Sequence, residues 1–404
     1  MRRKLYLIFI LLPALFFMAC LLAGCWDKRE PDELGIVIGA AIDFNPETGF
    51  YKILAELANP GGGGTSQDVG GGGGGGDKAP FWVVEAEGET VFNAIRTMEL
   101  LSTRMLFWSH METVVFSEEF ARGGLRPALD FIEREVESRP TPHPFVAQGD
   151  IKKLLESEYP LEQLGGVVLR KQYTSIFSEG SVVPEVDSFR LLFQRLSRPG
   201  WELILPRAEV LEAGGDERSP SSQINPARIS GAAVFRGDRL AGFFNDRETS
   251  GYLWITGNIK SASLTMKCPG NEEKLLTVSV TESSTRLEPE IEGSDIRFKL
   301  FIAAEGRIED YGCEKLPMEE EYLSSLGRRM AETIRSEVEM ALDKARELKA
   351  DVFGMGNIIY RTKPKEWARL EGRWEELFPQ IKVDIEIEAL IERPGLVGEP
   401  LKIR

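Results

Sequence analysis

The sequence predicts an α+β protein built from two regions with different patterns. In the first region strand-like and helix-like runs alternate, which indicates a mixed arrangement of strands and helices. In the second, consecutive strand-like runs precede one long amphipathic segment over 318–350, which indicates a largely antiparallel sheet packed by a long helix. A polar stretch at 213–222, rich in Gly, Ser and Pro, lies between the two patterns. We therefore expect an N-terminal α+β region over 25–212, a linker over 213–222 and a C-terminal α+β domain over 223–404.

The first 24 residues have the features of a secretory signal. Residues 2–4 are basic, and an uncharged, mostly apolar run continues to Gly24. The small pair Ala-Gly stands directly before Cys25, as in a bacterial lipobox. This pattern predicts a signal peptide over 1–24, cleavage between Gly24 and Cys25, and a diacylglyceryl group on the Cys25 sulfur.

An uncleaved membrane helix is the alternative, because about 20 apolar residues are enough to span a bilayer. Pro13 in the middle of the run and the small residues at its end favour cleavage. Either way the basic end stays inside and the folded body lies outside the membrane. Stable residence of a cleaved chain then requires an anchor with more than one acyl chain.

The first region opens with a predicted hairpin, whose strands cover 34–43 and 50–57 around an Asn-Pro-Glu-Thr-Gly turn. Residues 61–76 include 11 glycines and predict a flexible loop. They lack the Lys-Ser/Thr pair and following helix of a phosphate-binding loop. Later runs predict strands at 81–87, 111–117 and 145–148, and helices over 91–101, 125–138, 151–158 and 185–196, while 159–184 shows no clear period.

The second region begins with a predicted hairpin over 229–235 and 239–244, followed by a short helix that runs into 252–255. Strand-like runs follow at 260–267, 275–287 and 295–308. The long helix over 318–350 has an apolar stripe in steps of three and four residues, which is typical of packing against a sheet. Two shorter pieces at 351–362 and 364–378 and a strand with near-strict alternation at 381–391 complete the prediction.

Composition and motifs argue against several classes of function. The formal charge of −15 disfavours nucleic acid as a partner, because such binding needs clustered Lys and Arg. His110 and His143 are the only two histidines, which argues against a multi-histidine metal site. We interpret His110, on the approach to a strand, as a histidine hydrogen-bonded in or near the core, and His143 as a loop residue. No nucleophile elbow, zinc-protease or dinucleotide motif occurs, so we predict no catalytic residue, no cofactor and no metal.

Two of the four cysteines have no role in the signal or the anchor. Cys20 leaves with the signal and Cys25 takes the lipid, so Cys268 and Cys313 remain. Both follow strand-like runs, whose ends could meet in a disulfide outside the membrane. Two free thiols are the alternative, and no C-x-x-C motif points to redox chemistry.

Several distinctive segments follow one another along the chain. They are Leu-Ala-Gly-Cys-Trp-Asp-Lys-Arg-Glu (22–30), Glu-Leu-Gly-Ile-Val-Ile-Gly (33–39), Val-Phe-Asn-Ala-Ile-Arg (91–96), Leu-Phe-Trp-Ser-His-Met-Glu (106–112), Ile-Glu-Arg-Glu-Val-Glu-Ser-Arg (132–139), Asp-Val-Phe-Gly-Met-Gly (351–356) and Trp-Ala-Arg-Leu-Glu-Gly-Arg-Trp (367–374). No single segment is diagnostic, but their order and spacing are. Together they resemble one family, the Ger(x)C spore germination lipoproteins, which are the C subunits of germinant receptors.

The resemblance implies a lipid-anchored α+β protein on the outer face of the spore inner membrane. It also implies that the protein works beside two integral membrane subunits and helps nutrients to trigger germination. Cys25 is the one functional residue that the resemblance carries over, for lipidation. Other family-like positions, for which we assign no role beyond fold or partner contact, are Trp26, Asp27, Trp108, His110, Trp367 and Trp374.

Two other classes of function stay open at this stage. A solute-binding lipoprotein that feeds a transporter would have two doubly wound α/β lobes, and the strand-rich second half disfavours it. A cell-wall hydrolase would need paired carboxylates, whose spacing is spatial and is not readable among 64 acidic residues. An interaction subunit of a membrane receptor is the favoured hypothesis.

Overall fold

The structure confirms the predicted α+β class and arranges the chain around two sheets. It is a computed structural model. It describes residues 33–59, 81–134, 139–157, 162–179, 183–186, 188–211, 226–293, 295–313 and 320–392. The predicted signal, the glycine-rich loop at 61–76 and the predicted linker at 213–222 lie outside these residues.

The first sheet has nine strands in the order β3-β2-β1-β5-β6-β7-β8-β9, with β4 beside β1. The centre is parallel from β1 through β5 and β6 to β7, and both sides are antiparallel. The strands are β1 (Leu34–Asn45), β2 (Phe50–Ala58), β3 (Phe81–Gly88), β4 (Met105–Phe107), β5 (Thr113–Ser117), β6 (His143–Gln148), β7 (Ile204–Val210), β8 (Ala227–Arg236) and β9 (Arg239–Phe244).

Helices cover both faces of this sheet, because the central strands alternate buried residues to each side. On β1, Ala40 and Ile42 join one core and Ala41 joins the other. The helices are α1 (Val91–Leu101), α2 (Glu118–Gly123), α3 (Arg126–Arg134), α4 (Ile151–Leu155), α5 (Gly165–Glu179) and α6 (Phe189–Leu196).

The hairpin of β8 and β9 follows the predicted linker in sequence but completes the first sheet. Strand β8 pairs antiparallel with β7, from Ile204 opposite Val234 to Val210 opposite Ala227. The segment 213–222 is therefore not a boundary between the two sheets, since the chain returns to the first sheet after it.

The second sheet has four strands in the order β10-β11-β12-β13 and packs against the long helix. The first three strands are antiparallel, whereas β13 runs parallel to β12. Its strands are β10 (Ser263–Cys268), β11 (Asn271–Glu292), β12 (Asp295–Tyr311) and β13 (Lys382–Ile391), and the helices of this half are α7 (Asp246–Thr256), α8 (Glu320–Leu348), α9 (Met355–Thr362), α10 (Pro364–Leu370) and α11 (Trp374–Leu377).

The long helix α8 buries the apolar stripe that its sequence predicts. Leu326, Met330, Ile334 and Val338 are fully buried in the core that the second sheet and α7 share. The helix has 29 residues, or about 44 Å of length, so its buried face extends along the sheet.

Some elements of the structure have no counterpart in the sequence prediction. Helix α5 lies within the stretch 159–184, where no period is visible, and β4 and β7 are short runs between better-marked elements. The second sheet is mainly antiparallel, so the two sheets are not the pair of doubly wound, mostly parallel lobes that is typical of a solute-binding protein.

A disulfide joins Cys268 at the end of β10 to Cys313 just after β12. Their Cα atoms lie 5.6 Å apart, and both residues are buried. Because β11 lies between β10 and β12, the bridge ties together the two strands that flank β11. It closes a loop with a sequence separation of 45 residues.

We expect the Cys268→Ala/Cys313→Ala double variant to lose about 2–4 kcal/mol of unfolding free energy, because the open chain gains conformational freedom when unfolded. Urea denaturation with and without a reductant measures this. The reductant is expected to lower the midpoint of the wild-type chain and to leave that of the double variant unchanged. A wild-type midpoint that does not respond to the reductant would contradict the bridge.

Candidate functional site

A buried aspartate organises the loop that follows helix α8. Asp351 is 2% exposed, and its carboxylate accepts hydrogen bonds from the backbone N–H groups of Met355 at 3.0 Å and Gly356 at 2.8 Å. The indole Nε1 of Trp374 donates a third bond at 3.0 Å. Burial raises the pKa of Asp351 to about 7, although these three donors oppose the rise and Glu202 adds to it. The carboxyl group thus fixes the loop and the start of α9.

Two glycines let this loop approach aromatic rings closely. Gly354 has a φ of 73°, and a Cβ there would lie 2.7 Å from the indole of Trp201. At Gly356 a Cβ would lie 2.7 Å from the ring of Trp367. The rings of Trp367 and Trp374 are themselves 5.3 Å apart in an edge-to-face arrangement. Only glycine fits at these two positions.

Hydrogen bonds join this loop to a segment of the first region. We call the two segments, 199–202 and 351–357, the junction. The bonds are the indole of Trp201 to the carbonyl of Val352 at 2.9 Å, the N–H of Glu202 to the carbonyl of Asp351 at 2.9 Å, the N–H of Asn357 to the carbonyl of Gly200 at 3.0 Å and the amide of Asn357 to the carbonyl of Pro199 at 3.1 Å. All four lie between residues about 150 positions apart in sequence, so the junction holds distant parts of the chain together.

A half-buried carboxylate supports the junction from the first region. Glu202 accepts a hydrogen bond from the N–H of Gly237 at 2.6 Å, at the turn between β8 and β9. Burial raises the pKa of Glu202, and Glu375 adds to the rise. Glu375 in turn pairs with Arg236 at 3.0 Å. These contacts tie the hairpin to helix α11.

The buried carboxylates have structural partners rather than the partners that acid–base chemistry needs. Glu56 accepts from the N–H groups of Gly165 and Gly166, and Glu337 accepts from the side chains of Ser250 and Trp254. Each therefore joins separate elements of the fold through hydrogen bonds to donors that do not titrate at neutral pH.

Of the sequence-predicted site residues, the structure brings Cys268 and Cys313 together in the disulfide described above. Gly24 and Cys25 lie outside the described residues, so cleavage and lipidation stay predictions. His110 is exposed with its ring against Phe107, so the prediction of a core position was wrong. His143 begins β6 with its ring against Tyr173 and is therefore a strand residue, not the predicted loop residue. Within the described ranges no group of three or more His, Cys, Asp or Glu residues could hold a metal ion.

An exposed apolar surface lies near the place where the described chain begins. Leu34 pairs with Met105 at the start of the parallel pair of β1 and β4. Met105 is 49% exposed, and just before it in the chain Leu100 and Leu101 are 86% and 56% exposed at the end of α1. Trp82, 51% exposed, lies on β3, against which α1 packs. We call Trp82, Leu100, Leu101 and Met105 the entry surface.

Two family models together match nearly the whole chain. Residues 27–210 match the model described as the spore germination protein N-terminal domain, and residues 230–395 match the model for the C-terminal part of spore germination B3/GerAC-like proteins. The chain belongs to the Ger(x)C family of spore germination proteins. In this Ger(x)C protein the junction connects the two matched regions, since 199–202 lies in the first and 351–357 in the second.

Relatives match this Ger(x)C protein along almost their entire length. Spore germination protein KC of Bacillus subtilis (strain 168) is 25% identical over 393 residues, which cover 94% of both chains. Spore germination protein B3 of the same strain is 22% identical over 400 residues, covering 95% of this chain and 98% of the relative. The crystal structure of the GerBC protein aligns with a TM-score of 0.52 at 17% identity and covers 87% of this chain, which supports the fold.

The first-region half of the junction was not predicted from the sequence. The family resemblance covers the 351–356 segment and both Trp367 and Trp374, but not Gly200 or Trp201. A glycine directly before a tryptophan was the available signal, since the aromatic ring needs a partner where the backbone comes close.

Proposed function

We propose that this protein is a lipid-anchored subunit of a nutrient germinant receptor at the spore inner membrane. It acts in germination by contact with integral membrane subunits and not by catalysis. Membership of the Ger(x)C family carries the proposal. The lipobox that ends at Cys25 supports the anchor and the extracytoplasmic location.

The short distance between the anchor and the fold supports a defined orientation on the membrane. Leu34 lies nine positions after Cys25, and a fully extended chain covers about 30 Å over that span. The start of β1 therefore stays near the bilayer when Cys25 carries lipid. The entry surface lies beside this point, and its Trp and Leu side chains are of the type that enters the membrane interface. No helix among the described residues is long and apolar enough to cross a membrane.

We expect the entry surface to touch lipid while the second sheet stays in water. The test labels Leu100→Cys with an environment-sensitive fluorophore in the lipoprotein reconstituted into vesicles. The emission of the fluorophore on vesicles should lie at shorter wavelength than its emission in detergent-free water, because the probe leaves water when it enters the membrane interface. The matched control is Leu390→Cys, at an exposed apolar position of β13, which should show no shift. Equal emission from the two positions would contradict this orientation.

The receptor role is tested by affinity capture of the tagged protein from detergent-solubilised spore membranes. We expect integral membrane proteins to be recovered in fixed ratio to the tagged chain, and deletion of the gene to impair the response to at least one nutrient. An unrelated tagged lipoprotein of the same spores is the control for capture through lipid alone. Capture of no membrane protein beyond that control, together with a normal response of the deletion strain to every nutrient, would refute the role.

A further inference from the structure

A cavity of about 450 Å³ opens beside the junction, and both family regions line it. Its volume is within the range of sites for small molecules. The first region contributes residues around α6 and Trp201, and the second contributes residues from α7, β11 and α9. The cavity thus exists only when the junction holds the two regions together.

Positive charge dominates the lining, in contrast to the acidic chain as a whole. Arg195, Arg198 and Arg361 line the cavity, and Glu185 is the acidic residue of the lining. None of the three arginines forms an ion pair within the part of the chain that the structure describes, whereas the whole chain carries a charge of −15. Such a local excess of unpaired guanidinium groups attracts anions.

The guanidinium of Arg195 is buried and incompletely satisfied. Arg195 is 8% exposed, and its Cζ lies 3.7 Å from the ring centroid of Trp201, while Arg198 lies 5.3 Å from the same ring. Its buried Nη1 atom has no hydrogen-bond partner among the described residues. A buried charge ordinarily has an opposite charge or a full set of hydrogen bonds, so this arrangement is incomplete without a ligand.

The chemistry of the lining defines the ligand that would complete it. Arginine has a planar fork of donors that matches a carboxylate group, and three arginines against one glutamate leave an excess of two positive charges. The side-chain amides of Asn258 and Asn357 offer further hydrogen bonds, and Leu287 and Phe353 offer apolar contact for a short carbon chain. We propose that this cavity binds a small organic dicarboxylate, with Arg195, Arg198 and Arg361 as the groups that recognise its charge.

This site is independent of the proposed receptor role, because binding is measured on the purified chain and needs no germination. The experiment titrates glutarate into the full-length lipoprotein in detergent by isothermal titration calorimetry in a buffer low in other anions. Glutaramide, its neutral analogue, is the ligand control. Inorganic phosphate is a second probe, because a site for any oxyanion would accept it as well as glutarate.

We expect saturable binding of glutarate, none of glutaramide and weaker binding of phosphate. Arg195→Met and Arg361→Met should each weaken glutarate binding roughly tenfold or more, since each removes a charge-assisted contact. Arg328→Met is the matched control, because Arg328 is an exposed arginine on α8 outside the lining. Arg361 is exposed, so its substitution should leave the fold intact. Arg361→Met therefore tests glutarate binding even if Arg195→Met does not fold.

Three results would overturn the dicarboxylate site. One is the absence of glutarate binding to the wild-type chain. The same absence is expected if the cavity serves instead to receive an acidic side chain of a partner protein. Another is an unchanged glutarate affinity in Arg361→Met and Arg195→Met. The third is phosphate binding that equals or exceeds glutarate binding, because the site would then not select a dicarboxylate.

Discussion

The Cys25→Ala substitution is expected to remove the acyl anchor and with it nutrient-triggered germination. Each buried methylene contributes about 0.8 kcal/mol to membrane binding, so the loss of a diacylglyceryl group removes most of the attachment of a cleaved chain. Tethering to a surface raises the effective concentration of a partner on the same surface by roughly 10²-fold or more. We therefore expect a comparable fall in receptor occupancy and a failure of the spores to respond to nutrient.

The matched control for this variant is Cys20→Ala, which changes a cysteine of the predicted signal five residues earlier. Since Cys20 leaves with the signal, this substitution should preserve both germination and the mass of the mature protein. Mass spectrometry of the N-terminal peptide supplies a second readout, because an uncleaved apolar signal could itself hold the Cys25→Ala chain on the membrane. Normal germination of spores whose residue 25 carries no acyl group would contradict the anchored-subunit proposal.

The parts of the fold that the sequence predicted are those whose pattern is local. The apolar stripe of α8 shows in steps of three and four residues, and the hairpin of β1 and β2 shows as two strand-like runs around a turn. The lipobox is a contiguous motif and needs no structure to be read. In each case the residues that decide the outcome lie within a few positions of one another.

Helix α5 was not predicted because a distant residue supports its start. Its first two N–H groups, from Gly165 and Gly166, donate to the carboxylate of Glu56 at 2.6 and 2.9 Å. Glu56 lies on β2, more than 100 residues earlier in the chain, and is fully buried. A helix that starts with two glycines has low propensity, and the negative charge at its N-terminus offsets part of this. The periodicity of a single sequence does not reveal a contact between residues so far apart, so this helix could not be predicted from it.

Only half of the junction could be recognised in the sequence, again because its contacts join residues that are distant along the chain. Asp351 and the glycines after it form a recognisable segment, but what they contact lies about 150 residues away at Trp201. The cavity beside the junction depends on that contact, since Trp201 and Phe353 line it from the two sides. The family resemblance therefore pointed to the 351–356 half of the junction, and its contact with Trp201 was not predicted.

Replacement of Asp351 by alanine is expected to cost about 3 kcal/mol or more of unfolding free energy. The substitution leaves the N–H groups of Met355, Gly356 and Trp374 without their acceptor in a buried place, and each unpaired buried donor costs about 1–3 kcal/mol. Urea denaturation of the chain without its signal measures the loss. Asp343→Ala is the matched control, because the side chain of Asp343 is 75% exposed on α8 and its pair with Arg346 contributes little.

The titration of Asp351 gives this prediction a pH dependence of definite sign. Burial raises its pKa to about 7 in the folded chain, whereas the unfolded chain titrates at about 3.9. Between these values the folded state binds more protons than the unfolded state, so this group's contribution to stability is full below about pH 4 and is lost as the pH rises through 7.

Asp351→Asn removes that titration, and stability should fall less steeply over the same window. Part of the slope should remain, because burial also raises the pKa of Glu56 to about 7. An Asp351→Asn chain whose stability follows the wild-type pH slope would show that this carboxyl does not titrate in the window.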